Sequence, residues 1–160
     1  MSEEEAIEGG RLERIYLDTC VWCRLFDELD HERIMEEFRA IVRILDKARM
    51  GRLVIVKSEV LFYEISRMTG DERDTVERLI DEISDEMIRT TVKTKEVMED
   101  LVSECGLNPV DALHIALAIE HDVDLFLTTD SEILNKRDCI EHYGVDVKNP
   151  VEYGAGIDGC

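Results

Sequence analysis

Positive charge, proline and long apolar runs are all scarce in this sequence, and each scarcity excludes something. Lysine and arginine number 19 against 38 aspartates and glutamates, which gives a net charge of −19. A face basic enough to coat nucleic acid regardless of sequence is therefore excluded. Two prolines and nine glycines in 160 residues are too few for a linker-rich or low-complexity chain. No apolar stretch approaches the roughly 18 residues of a membrane span, and Met1 to Gly10 is acidic where a secretory signal would be basic. That reading places the protein in the cytoplasm with no membrane partner. Cys20, Cys23, Cys105, Cys139 and Cys160 are an odd, scattered set unlike a secreted disulfide framework, so reduced thiols are expected. The four histidines show no zinc-type spacing with them.

What is present is enough for one core. Apolar residues make up 44% and charged residues 36% of the chain, a globular composition at a length that suits a single domain. Residues 1–11 hold four Glu and one Arg and read as an acidic flexible tail; residues 154–160 are glycine-rich and read as a second. The domain expected between them spans 12–153; removing residues 1–11 alone leaves a charge of about −16, so the acidity belongs to the body.

Within that body, short β-type runs (Arg14–Leu17, Leu53–Val56, Met87–Val92, Leu125–Thr128 and, weakly, Val145–Val147) alternate with helical periods. This is the pattern of a parallel sheet with crossover helices. Ile34, Phe38, Ile41, Val42 and Leu45 share one helical face; so do Val76, Leu79, Ile80 and Ile83, and then Met98, Leu101, Val102 and Cys105. Gly70 and Asp71 read as a helix stop and the next N-cap. A helix from Pro109 to about His121 is apolar nearly all round and belongs in the middle of the fold.

Four carboxylates sit where packing alone would not put them. In the helix beginning near Ser58 the apolar stripe runs through Val60, Leu61, Glu64, Ile65 and Met68, so Glu64 is a charge in a core-facing row. Either Arg67, one turn on, neutralises it, or Glu64 opens into a polar cleft or metal site. Asp18 follows the first strand, Asp130 follows Leu125–Thr129, and Asp111 lies three residues after Asn108; each could be no more than a helix cap. Asp18 and Asp130, however, fall at the carboxyl ends of strands, where an open parallel sheet forms its ligand crevice. Four carboxylates converging at roughly 5 Å would repel by about 3 kcal/mol per pair at an effective dielectric near 20. A cluster of that kind needs a cation, and oxygen ligands favour Mg²⁺ or Mn²⁺ over Zn²⁺.

The segments Ile15-Tyr16-Leu17-Asp18-Thr19, Ser58–Ile65, Asp111–Ala118 and Leu127-Thr128-Thr129-Asp130, in that order and spacing, resemble the PIN domain family. The likeness covers about residues 14–153, and the closing segment Val147–Tyr153 looks like that of VapC-type ribonucleases. The resemblance implies a three-layer α/β/α sandwich with a central, mainly parallel sheet of four to five strands. It also implies Mg²⁺- or Mn²⁺-dependent endonucleolytic hydrolysis of RNA, leaving 5′-phosphate and 3′-hydroxyl ends. Asp18, Glu64, Asp111 and Asp130 would then be the catalytic, metal-holding carboxylates, supported by the hydroxyls of Thr19 and Thr128. A small antitoxin partner and a homodimer are further implications. Where the family usually has Asn after the Asp-Thr pair, this chain has Cys20, which removes or replaces a hydrogen bond that orients the first Asp.

Two other readings compete. Cys20 and Cys23 follow a strand and open a helix, a setting suited to a thiol–disulfide redox pair, though small core-filling side chains explain both as well. An inactive PIN scaffold that binds protein partners would account for Cys20 and for the acidity. RNA approaching so acidic a chain needs local cations, for which Arg24, Lys57, Arg67, Lys136 and Arg137 are the candidates near the strand ends. His114, one turn after Asp111 on an apolar helix, reads as a satisfied core histidine or one that orients Asp111.

Overall fold

Both faces of the first strand are buried. In β1 (Arg14–Leu17), Ile15 and Leu17 enter one core and Tyr16 the other, which only a strand covered by helices on both sides requires. The structure, a computed structural model, describes residues 11–153; the tail readings at 1–10 and 154–160 lie outside the described residues. Arg11, counted with the tail from sequence, pairs with Asp124 at 2.7 Å.

After β1 come α1 (Thr19–Arg24), α2 (Glu32–Arg49), β2 (Val54–Ser58), α3 (Glu59–Ser66), α4 (Glu72–Ile83) and β3 (Glu86–Ile88). The chain continues through α5 (Val92–Cys105), α6 (Pro109–Glu120), β4 (Leu125–Leu127), α7 (Ser131–Leu134), α8 (Arg137–Glu141) and β5 (Asp146–Lys148). All strand pairs are parallel, in the order β3-β2-β1-β4-β5. From β1 the chain builds outward to β2 and β3, then returns through α5 and α6 to lay β4 and β5 on the other side of β1. Strand order thus reverses between β1 and β4, and the crevice beyond the carboxyl ends of such a pair is where open parallel sheets bind ligands. The register pairs Leu17 with Leu127, and Asp18 N donates to Leu127 O at 3.0 Å, so Asp18 and Thr128 leave the sheet side by side.

Ile41 and Ile44 of α2, Leu61 and Ile65 of α3 and Ile80 of α4 pack on the Ile15/Leu17 face. Leu101 of α5 and Ile115 and Ala116 of α6 pack on the other, over Tyr16 and Phe126, whose rings stack at 5.4 Å. The result is the three-layer α/β/α sandwich that the sequence implied, with α6 as its most apolar helix.

Several boundaries differ from expectation. The run Met87–Val92 yields only the short β3, because Thr91 leaves the sheet to cap α5: its hydroxyl accepts from Lys93 N, and Thr94 Oγ1 accepts from Thr91 N. Asp71 precedes α4 without a side-chain capping bond. The expectation of reduced thiols fails at one pair: Cys105, ending α5, is disulfide-bonded to Cys139 in α8. The two are 34 residues apart in sequence, so no local pattern could announce their meeting; only the packing of α8 against the end of α5 does. Cys20 and Cys23 are free.

One buried charge ties the helical layer to the sheet's far edge. Glu37 of α2 is 1% exposed. Its Oε2 accepts from Arg33 Nε at 3.2 Å and from Asn149 Nδ2 at 2.8 Å, while Arg24 Nε lies 2.9 Å from Oε1, off the line of a directed hydrogen bond. Arg33 also donates to the carbonyl of Thr129 at 3.0 Å. Arg33 is mostly exposed and Arg24 keeps Asp27, so losing Glu37 forfeits charge-assisted hydrogen bonds rather than stranding a buried charge, at a cost of about 2 kcal/mol. Glu37→Ala should lower unfolding free energy by about that amount in urea titration; a change below about 0.5 kcal/mol would show that the cluster is solvated like an ordinary surface pair.

Candidate metal centre at the strand-order reversal

Asp18 is the first residue beyond β1 and is 5% exposed. Its Oδ1 accepts from Thr19 N at 2.8 Å, which caps α1, and its Oδ2 accepts from Thr128 Oγ1 at 2.8 Å and from Cys20 Sγ at 3.4 Å. Burial pushes the Asp18 carboxyl up, and His114, Thr128, Cys20 and Thr19 oppose that rise. Cys20 therefore stands in for a hydrogen-bonding amide: its sulfur touches Asp18 and Thr128 Oγ1 (3.4 Å) and accepts from Thr129 N at 3.4 Å. Burial and then Asp18 push the Cys20 thiol up to about 12; burial and then Asp27 push Cys23 up to about 11. Redox-active pairs need the opposite, a stabilised thiolate, so the thiol-exchange reading has no support in the geometry.

Glu64 resolves the conflict seen in its helix. Ser58 starts α3 by accepting from Leu61 N at 3.1 Å, which sets Val60, Leu61 and Ile65 inward. Glu64 is left with about a third of its side chain exposed (32%) at the lip of the crevice. Arg67 is not its partner; that guanidinium donates to Tyr63 OH at 2.9 Å and lies over the Tyr63 ring. Instead Glu64 Oε1 accepts from His114 Nε2 at 2.5 Å and from Thr19 Oγ1 at 2.6 Å. His114, followed by Thr19, holds the Glu64 carboxyl below its usual range against the effect of burial. One ligand atom from each of Asp18, Glu64 and His114 lies within 4.8 Å of the others.

Asp111 lies close enough to Asp18 and Asp130 to feel both charges. Asn108 caps α6 by accepting from Asp111 N at 2.9 Å, and Asp111 Oδ2 accepts in return from Asn108 Nδ2 at 2.7 Å. Asp111 is half-buried, and its carboxyl is pushed up to about 6 by burial first, then by the charges of Asp18 and Asp130. Asp130 Oδ1 caps α7 by accepting from Glu132 N at 2.8 Å, while Asp130 N donates to Thr128 Oγ1 at 3.0 Å. Capping and clustering are therefore not alternatives here. Asp111 thus feels Asp18 and Asp130, while the ligand atoms that lie together are those of Asp18, Glu64 and His114; carboxylate oxygens of this kind suit a hard divalent cation.

The cations nominated from sequence have protein partners. Arg24 pairs with Asp27 at 2.6 Å and faces Glu37; Lys57 pairs with Asp81 at 2.8 Å; Lys136 donates to Gly106 O at 2.6 Å; Arg137 pairs with Glu152 at 3.1 Å. Arg67 is taken by Tyr63. Sequence reasoning missed Arg33 at this centre and tied His114 to another acid. His114 contacts Glu64 and not Asp111, a pairing across 50 positions that no periodicity reveals. Arg33, bonded to Thr129 O beside Asp130, looked like one of many charges on α2.

The PIN domain family model matches residues 15–138. Among solved structures, the chain is similar to VapBC2 from Rickettsia felis bound to a DNA fragment from its promoter (12% identity, TM-score 0.58, covering 85% of this chain and 98% of that one). It is similar also to FitAcB from Neisseria gonorrhoeae (14%, TM-score 0.57, 85% and 97%) and to FitAB bound to an IR36 DNA fragment (16%, TM-score 0.56, 86% and 95%). At such identities the likeness is one of fold. No curated protein matches the chain significantly.

The raised Asp111 carboxyl has a sign that can be checked. A carboxyl pulled up to about 6 in the folded state binds its proton more tightly there than in the unfolded chain, where it titrates near 4. Its contribution to stability therefore falls as pH rises through that interval. In metal-free protein, Asp111→Asn should melt higher than wild type at pH 7 and show a smaller loss of Tm between pH 4 and 6. A carboxylate acting only as a helix-start charge predicts an equal or lower Tm for the variant.

Proposed function

The chain belongs to the PIN domain family, and from that membership we propose that it is an endoribonuclease that hydrolyses RNA phosphodiester bonds with Mg²⁺ or Mn²⁺. The observation that supports this reading is that Asp18, Glu64 and His114 bring one ligand atom each within 4.8 Å of one another where strand order reverses, and that Asp111 feels the charges of Asp18 and Asp130. A divalent ion bound there would supply an activated water at neutral pH and charge stabilisation for the leaving 3′-oxygen. Asp18 and Glu64 would hold the ion from the β1 and α3 sides, Asp111 and Asp130 from the α6 and β4 sides. Thr128 and Thr19 fix the carboxylate oxygens by the hydrogen bonds already described, so the donor set is organised before any ligand arrives.

Residues 12–153 act as one nuclease domain in this reading. A small antitoxin protein as partner is supported by the paired components named in the similar structures, FitAB and VapBC2; a homodimer and a cytoplasmic site of action complete the proposal. None of the helices among the described residues is long and apolar enough to cross a membrane. A reducing cytoplasm would open the Cys105–Cys139 bond, but Lys136 to Gly106 O and Tyr143 to Glu104 also hold the end of α5 to the α8 region.

Incubation of mixed RNAs with the protein and Mg²⁺ or Mn²⁺ should give cleavage that EDTA abolishes. Glu64→Gln and Asp130→Asn should each reduce the rate by at least about 100-fold, the scale of losing an electrostatic contact to the reacting centre. Mn²⁺ binding without cleavage of any RNA would instead favour the partner-binding scaffold.

A further inference from the structure

One aromatic side chain of α3 lies outside both packed cores and outside the acidic site. Among the described residues Tyr63 is the one exposed aromatic, with 60% of its surface open to solvent. Single exposed apolar groups are ordinary, but this ring is held in place: Arg67 donates to its hydroxyl at 2.9 Å. The guanidinium carbon stands 5.7 Å from the ring centre, near the outer limit of a cation–π contact. The grip is therefore at the hydroxyl end and leaves most of the ring uncovered.

The choice of partner is informative in a chain with 38 acidic and 19 basic residues. Arg24, Lys57 and Arg137 each pair with a carboxylate, whereas among the described residues no carboxylate pairs with Arg67. Its bond is given to a ring, and a side chain ordered beforehand costs less to immobilise when a ligand arrives. Helix geometry then sets that ring beside the proposed metal centre. At about 100° per residue, Tyr63, one position before Glu64, and Arg67, three positions after it, fall on the same side of Glu64 around α3. Leu61 and Ile65 fall on the other side and are buried. Arg67 caps α3 in the αR conformation, so the row is continued to its end. Glu64 at the lip of the crevice is thus flanked, on its solvent side, by an oriented and open aromatic surface.

We propose that Tyr63, oriented by Arg67, is a stacking platform for an unpaired nucleobase of the substrate, on a nucleotide whose phosphate lies in the adjoining crevice. Every base has a π-face, so such a platform tolerates any sequence and draws on stacking where a basic groove is lacking. That suits a lip whose neighbours are acidic. A base inside a duplex keeps its faces covered, so the platform takes bases from single strands and loops. The inference rests on the RNA-hydrolysis reading, and its test separates the two.

The full chain with Mg²⁺ is given a fluorescein-labelled single-stranded RNA of mixed sequence, and a set of the same RNA in which each position in turn lacks its base. Where the RNA is cleaved, the rates give KM and kcat; where it stays intact, fluorescence anisotropy gives Kd. Tyr63→Ala should raise KM or Kd by about 10-fold, the scale of one lost base stack, with kcat little changed and melting like wild type. Tyr63→Leu, apolar but without a π-face, should match Tyr63→Ala. Tyr63→Phe and Arg67→Ala keep a ring but lose the hold on it, and should fall between that variant and wild type. Removing the base at one position should cost wild type the same factor of about 10 and cost Tyr63→Ala nothing more, a coupling that a merely structural residue does not produce. RNA binding by Tyr63→Ala equal to that of wild type overturns the proposal and gives the exposed pair to a protein surface; a wild type that neither cleaves nor binds RNA overturns it as well. Cleavage by Tyr63→Ala at the wild-type KM leaves the nuclease reading standing while the platform falls, and binding that depends on Tyr63 and one base, without cleavage, does the reverse.

Discussion

The carboxylate of Asp18 is buried at the end of the central strand, and an unpaired charge there would cost several kcal/mol. Three donors offset that cost, Thr19 N, Thr128 Oγ1 and Cys20 Sγ, and two of them exist only because of the next turn of chain. The third, Thr128, is available only because β4 lies beside β1 in register. That adjacency in turn requires the long return through α5 and α6 to the other side of β1. The topology and the acidic crevice are thus one arrangement: without the reversal of strand order, Asp18 would have no hydroxyl from β4 and no reason to be buried.

The same economy governs the other acids. Asp18, Asp111 and Asp130 lie in or just before the first turns of α1, α6 and α7, where the free N–H groups favour negative charge. Helix starts therefore stabilise part of the repulsion that brings these groups together. Glu64 has no such help, lying in the middle of α3, and its oxygen is fixed instead by side chains from two other elements, Thr19 and His114. Each carboxylate is held by whatever its position in the chain offers.

This explains what could be read in advance and what could not. The limits of β1 were legible because a strand covered on both faces has a continuous apolar run, and the start of α6 because Asn108 and Pro109 punctuate it. Glu64 was legible as a conflict, a charge in an apolar row, but the sequence offered Arg67 as an equal solution. The geometry decides against it because Arg67 ends its helix turned to Tyr63. His114 carried no conflict: an imidazole on an apolar helix is unremarkable until Tyr16, 98 positions away, is found at its back. Contacts set by crossover connections, such as that one and the Cys105–Cys139 bond, leave no periodic trace, whereas caps and faces do.

Charge balance gives the crevice a further property. The nominated cations near the strand ends already neutralise Asp27, Glu37, Asp81 and Glu152 or serve backbone and ring partners. They hold the molecule together more than they invite a polyanion. At physiological salt the screening length is about 8 Å, so the overall charge of −19 weakens with distance but remains felt by a phosphate entering the crevice between Asp111 and Asp130. For the proposed RNA substrate, the attraction that offsets these carboxylates would come from the proposed ion. Metal binding and substrate binding would then be two stages of one neutralisation: the ion relieves the repulsion among the acids, and the positive charge left over on its open side is what a phosphodiester meets. A site built this way would gain specificity for the order of events, cation before polyanion, from the prior engagement of its nearby cations.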